Sequence, residues 1–229
     1  MAPLALGQDW KPTESRQLKI PGTAGEPGLV LNISANGRLG LVSVRSEKGA
    51  ELQRLECPLQ RDNVGSTPGE LAAVREHFVS QFVSADFDSD GWPDLAGVRE
   101  FGAKWARYCV WLYDAKQHRF IKDFLAEQME LLTNLEPLRD GLVSSSRMGP
   151  ANPWRARYRV TGAPGSRPER QLLPISSCLV ETMPGGEKPT ALVLTRFENG
   201  RAVVQQQDAG KMEMKAALAQ CDSADVQAR

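Results

Sequence analysis

Histidine is scarce in this chain: His77 and His118 are the only two in 229 residues. The four cysteines, Cys57, Cys109, Cys178 and Cys221, are widely spaced and form no C-x-x-C pair. A tetrahedral zinc site therefore has no ligand set to draw on. The glycine-rich dinucleotide fingerprint, the P-loop, the G-x-S-x-G elbow and the H-E-x-x-H helix are all missing. With them go the sequence signs of nucleotide binding, serine hydrolysis and zinc proteolysis. No stretch of eighteen apolar residues occurs, so no segment reads as a membrane-spanning helix. The charge balances at 28 basic against 28 acidic residues, and no basic stripe interleaves with aromatics. Nucleic acid is thereby excluded as an expected partner.

What the chain does have is a concentration of aspartate. Asp86, Asp88, Asp90, Gly91 and Asp94 form D-x-D-x-D-G-x-x-D within SADFDSDGWPDL. Alternate residues of a tightly curled loop aim their oxygens at one centre, and such close carboxylates repel unless a cation joins them. The expected occupant is Ca²⁺, held by Asp86, Asp88, Asp90, the carbonyl of Trp92, and Asp94. An EF-hand needs glutamate at the twelfth position, where this chain has Gly97. HFVSQFVSA before the loop and DLAGVRE after it read as strands, so the expectation is a calcium-bound hairpin loop of the kind seen in propeller blades. Asp and Gly also dominate plain turns, and a solvated Asx-rich turn is the alternative. With no histidine or second acid cluster beside it, the ion is expected to staple the fold and to do no chemistry.

The remaining pattern is that of an all-β protein. Short β-like runs recur about every dozen residues, as in a sandwich, barrel or propeller. Asn36-Gly37 and Asn199-Gly200 stand between apolar runs, the strongest short hairpin signal. The expected organisation is an extended lead-in over 1–27 with one strand at RQLKI, a single all-β domain over 28–207 arranged as an antiparallel meander, and a frayed polar tail over 208–229. One or two short helices are expected, at GELAAVREHF and FLAEQMELLTNL. His118, near Asp114, reads as a surface-turn residue and not as half of a catalytic triad. The even count of scattered cysteines suits an oxidising compartment, where two disulfides have three possible pairings. The first residues lack a charged and apolar leader, so the chain reads as a mature sequence from which a signal was trimmed, with Met1 added.

DFDSDGWPDL, EFGAKWARY, YCVWLYDAKQHRF, DFLAEQMELLTNLEP, SSSRMGP and a late YRV strand together resemble the periplasmic lysozyme-inhibitor proteins of Gram-negative bacteria. These are immunity partners of peptidoglycan-hydrolase toxins and are related in fold to inhibitors of invertebrate-type lysozymes. The resemblance spans under half of the chain. It implies a non-enzymatic protein with a small propeller lacking sequence repeats, or a β-sandwich, and a loop rim that plugs an enzyme's cleft. The partner it implies is a lysozyme-like peptidoglycan hydrolase, met in the periplasm or outside the cell. The residues themselves nominate Lys104, Trp105, Arg107 and Tyr108, in a loop expected to adjoin the calcium hairpin, with Ser145 and Arg147 as a second patch. Trp, Tyr and Arg are the usual interface anchors, and cations suit a glycosidase's paired carboxylates. The alternatives are a propeller-type carbohydrate-active hydrolase and a calcium-dependent carbohydrate-binding or adhesion module.

Overall fold

A computed structural model describes residues 12–22, 27–59, 68–102, 104–148, 152–162, 170–182, 188–198 and 201–227. Within them the chain is mostly β, in three antiparallel sheets that each follow chain order. The first sheet comprises β1 (Glu14–Ile20), β2 (Leu29–Asn36), β3 (Leu39–Ser46) and β4 (Glu51–Pro58). The helix α1 (Pro68–Ser80) leads to the second sheet of β5 (Val83–Ala85), β6 (Asp94–Gly102), β7 (Trp105–Asp114) and β8 (Arg119–Ile121). After α2 (Phe124–Glu130) come β9 (Glu136–Leu138), β10 (Gly141–Met148), β11 (Asn152–Thr161), β12 (Gln171–Thr182), β13 (Pro189–Glu198) and β14 (Arg201–Asp208), the third sheet, and then α3 (Met214–Gln227).

The middle sheet is buried on both faces, and β7 shows why. Along a strand, successive side chains point to opposite faces. Cys109, Trp111 and Tyr113 enter the core shared with the first sheet and α1, whereas Val110 and Leu112 enter the core shared with α2, β10 and β12. A strand with two apolar faces reads as a continuous apolar run, as YCVWLY does. The first core also takes Leu31, Ile33 and Ala35 from β2, at every second position. A third, smaller cluster joins Cys178, Val180 and Leu192 of the last sheet to Ala217 and Cys221 of α3.

Phe78 of α1 is fully buried between β3 and β6, where two glycines make room for its ring. A Cβ on Gly40 would lie 2.6 Å from the ring, and one on Gly97 would lie 2.5 Å from it and 3.0 Å from Phe82. The position at which an EF-hand would carry glutamate is therefore closed to any side chain. Cys57 and Cys109 bridge the first sheet to the second across 52 residues of sequence. Loop entropy alone makes such a bridge worth about 4 kcal/mol. Cys178 and Cys221 pin α3 to β12.

The all-β architecture with short helices is as expected, and among the described residues no closed barrel forms. A propeller closes four or more sheets into a ring; here three sheets are joined through successive cores. HFVSQFVSA is not one strand: His77–Ser80 end α1, and only Val83–Ala85 pair with β6. The segment read as a frayed tail forms α3, because Cys221 and Ala217 have a core to join. RQLKI lies in β1, which pairs with β2. Asn36 faces Leu39 across a two-residue turn that begins at Gly37, whose φ of 56° is in the left-handed region. Asn199 and Gly200 lie outside the described residues.

Gly97→Ala should destabilise the protein by about 1–3 kcal/mol, the usual cost of overpacking a core that cannot give way. Urea unfolding checks this through a lower midpoint at unchanged slope.

Candidate metal centre and binding cleft

The aspartate loop joins β5 to β6, and its carboxylates first organise their own backbone. Asp86 accepts the amides of Asp90 (3.1 Å) and Gly91 (3.0 Å), and Asp90 accepts that of Trp92 (2.9 Å). The curl needs two residues with positive φ, Ser89 at 60° and Gly91 at 90°. Short polar side chains and glycine tolerate that region best. Asp94, at the first position of β6, is fully buried and accepts the amides of Phe87 (2.9 Å) and Tyr113 (2.8 Å).

Asp86, Asp88 and Asp94 each place a carboxylate oxygen within 4.8 Å of the other two. Asp90 stays outside this trio, and Trp92 turns its ring onto Tyr113, with centroids 5.6 Å apart. A group not foreseen completes the cluster: Arg170, immediately before β12. Its guanidinium donates to Asp88 Oδ2 at 2.5 Å and to the Asp88 carbonyl at 2.8 Å, and lies 3.8 Å from Asp90 Oδ2. Asp88 and Asp90 thus share one fixed cation. Burial pushes Asp88 up to about 6, with the Asp90 charge adding to the rise and Arg170 opposing it. Asp94 is raised well above the ordinary carboxylate range, first by burial and then by the charge on Asp88; Asp90 is raised by burial. Buried, mutually repelling oxygens with an excess of negative charge fit a hard divalent cation, which is bound through oxygen. The acidic trio can bind a metal ion.

The second candidate site is elsewhere. Lys104 sits at the tip of the β6–β7 hairpin, while the aspartate loop is at the other end of β6. Nine strand residues at about 3.3 Å each separate them by roughly 26 Å. The expectation that the loop braces this tip is therefore corrected. Asn134 braces it instead: the side-chain amide donates to the carbonyls of Lys104 (3.1 Å) and Ser145 (2.9 Å), and its oxygen accepts the Ala106 amide (2.8 Å).

That clamp brings Lys104 and Ser145 together on a cleft of about 400 Å³, with Trp154 and Arg155 of β11 and Leu218 of α3. The other nominated residues have structural work. Arg107 pairs with the buried Glu100 at 3.6 Å and lies 5.8 Å from the Trp105 ring centre. Trp105 folds back over Gly102, and Tyr108 packs on the core beside α2, where burial raises its pKa. Arg147 belongs to β10, opposite Pro153, and its side chain lies outside the described residues. His118 is exposed in the turn before β8, as expected. Asn134 carried only a weak sign in the sequence, an asparagine closing a helical run, and in the structure its φ is 46°. Arg170 carried none, since it follows a proline- and glycine-rich stretch 82 residues from its partner.

No protein-family model matches the chain, and no curated protein matches it. Among solved structures, a chain described as the structure of a Xanthomonas type IV secretion system related protein is similar at 16% identity and a TM-score of 0.49. The match covers 86% of this chain and 97% of that one. At that level of likeness nothing is carried over from it.

The carboxylates set the sign of a pH response. Without a metal, the folded protein holds protons on Asp88 more tightly than the unfolded chain does between 3.8 and about 6. Stability contributed by this group is present below that window and lost as pH rises through it. In chelator, unfolding free energy measured across that window should therefore fall with rising pH, and Asp88→Asn should flatten the slope. A slope of the opposite sign that Asp88→Asn leaves unaltered would contradict this assignment.

Proposed function

We propose that this chain is a non-enzymatic binding protein of an oxidising, extracytoplasmic compartment. Ca²⁺ at Asp86, Asp88 and Asp94 staples its middle sheet, and the cleft bounded by Lys104, Trp154 and Arg155 docks a lysozyme-like peptidoglycan hydrolase. The observation that carries the binding reading is the convergence of Lys104, Ser145, Trp154 and Arg155 from separate segments onto one cleft, clamped by Asn134. A cation and a tryptophan on a braced rim are what recognises acidic, partly apolar surfaces, and a glycosidase presents two carboxylates. The hydrolase as partner rests on the sequence resemblance. The two disulfides suit an oxidising compartment, and among the described residues no helix is long and apolar enough to cross a membrane.

Calcium is preferred because the donors are all hard oxygens from carboxylates. A staple also accounts better for the aspartates than catalysis does, since Asp94 is committed to two main-chain amides and Asp88 to Arg170. An acid catalyst must be free to exchange its proton with a substrate.

An ion bound to the native state alone adds about 2.7 kcal/mol at a hundredfold excess over its Kd. Calcium should therefore raise the melting temperature over that in EDTA, and Asp88→Ala should abolish the difference. Identical curves in both buffers would remove calcium from the account.

The partner is tested by clearance of bacterial cell-wall suspensions by a panel of lysozyme-like enzymes. The protein should slow at least one of them through a one-to-one complex. Lys104→Glu and Trp154→Ala should each weaken that inhibition about tenfold or more, the scale of an interface anchor, and Lys104→Glu should leave the melting curve unchanged. A protein that slows none of them and itself turns over a glycan would overturn the proposal.

A further inference from the structure

The strongest unexplained feature of the aspartate loop is the cation supplied by the chain itself. Arg170 is 3% exposed and reaches the loop from just before β12 of the third sheet, 82 residues away in sequence. Two of its nitrogens are engaged by Asp88, one by the carboxylate and one by the main-chain carbonyl, so the guanidinium fixes both the charge and the path of the loop. Two residues further on, the Leu172 amide donates to Gln128 of α2 at 2.9 Å. The Leu172 side chain joins the core that contains Phe87 of the loop. The start of β12 is thus seated by an ion pair to the loop, a hydrogen bond to α2 and an apolar core that also contains Phe87.

We infer that Arg170 is the resident counter-cation of the aspartate loop and the link by which the loop holds the third sheet against the second. Burial decides the argument. An exposed arginine here would add little, but a buried carboxylate stripped of its partner keeps its desolvation penalty and has nothing to offset it. Arg170 also sets how much charge is left for an external ion. With all four carboxylates ionised, one guanidinium leaves three negative charges, and without Arg170 there are four. A divalent cation and Arg170 therefore relieve the same repulsion from two sides, and each matters more when the other is absent. The role of Arg170 stands whether or not an ion binds, although its compensation by calcium rests on the metal reading above.

The experiment is a set of melting curves in EDTA and in calcium for the wild type, Arg170→Met, Arg170→Lys and the double variant Asp88→Asn with Arg170→Met. Methionine retains apolar bulk without the charge, and lysine retains the charge without the fork. In EDTA, Arg170→Met should melt lower by on the order of 10 °C, as expected for breaking a buried pair in a domain of this size. Arg170→Lys should fall between it and the wild type. Calcium should recover most of the Arg170→Met loss. The double variant should lose less than the sum of its parts, because one interaction is removed twice.

If Arg170→Met does not fold in EDTA, the inference is supported when the double variant folds there and overturned when it does not. Hydrogen exchange at Leu172 and Leu173 should quicken in Arg170→Lys more than exchange in β2 does. A drop in EDTA with no calcium effect on any variant would sink the metal and leave the role of Arg170 standing. Arg170→Met melting within a degree or two of wild type in EDTA would overturn the inference.

Discussion

The Asp94 carboxylate is buried at the first position of β6 and accepts the amides of Phe87 and Tyr113, which ties the loop, β6 and β7 together at one point. Around it the chain does what a protein interior normally avoids and gathers further carboxylates, Asp88 and Asp90, where water is scarce. With these groups ionised, that arrangement holds only if positive charge is brought in. Arg170 brings part of it from the third sheet, and the remaining negative charge is the physical reason to place a divalent cation there. The middle sheet is thereby linked to the third through charge and to the first through apolar contact and a disulfide.

Rigidity on the first-sheet side comes from shape. The Phe78 ring fills the space that Gly40 and Gly97 leave open, and Phe82 lies edge-on to it at 5.8 Å. Two sheets can approach a helix this closely only where a strand gives up its side chain. On the far side, α2 is capped by Asp123, which accepts the Ala126 amide at 3.0 Å, and packs Leu125 and Met129 under β7. The binding cleft lies at the opposite end of β6 from the acidic loop, and its geometry depends on Asn134 and the Cys178–Cys221 bridge near its floor.

The features written locally in the sequence are the ones that could be read from it. The aspartate spacing placed the loop, and Asn36-Gly37 marked the β2–β3 hairpin. Val74, Phe78 and the alanines of α1 carried a helical signal, but HFVS also suits a strand, and tertiary packing of Phe78 decided the matter. What could not be read depends on pairs distant in sequence. Arg170 meets Asp88 through topology alone, and Asn134 links β7 to β10 across a turn with no motif of its own. α3 looked like a polar tail because, among its described side chains, only Ala217 and Cys221 are fully buried. The hairpin tip at Lys104 is close to the loop in sequence and far from it in space, since a strand is extended by about 3.3 Å per residue. Nearness along a chain is a poor guide to nearness in a sheet.

Calorimetric titration of calcium into the chelator-stripped protein tests most directly whether the acidic loop is built around an external cation as well as Arg170. The account predicts one site per chain with a Kd at or below about 1 mM, the range of extracellular calcium modules, and its loss in Asp94→Asn. A folded wild-type protein that takes up no calcium at several times that concentration would show that Arg170 alone meets the charge of the loop, and would contradict the account.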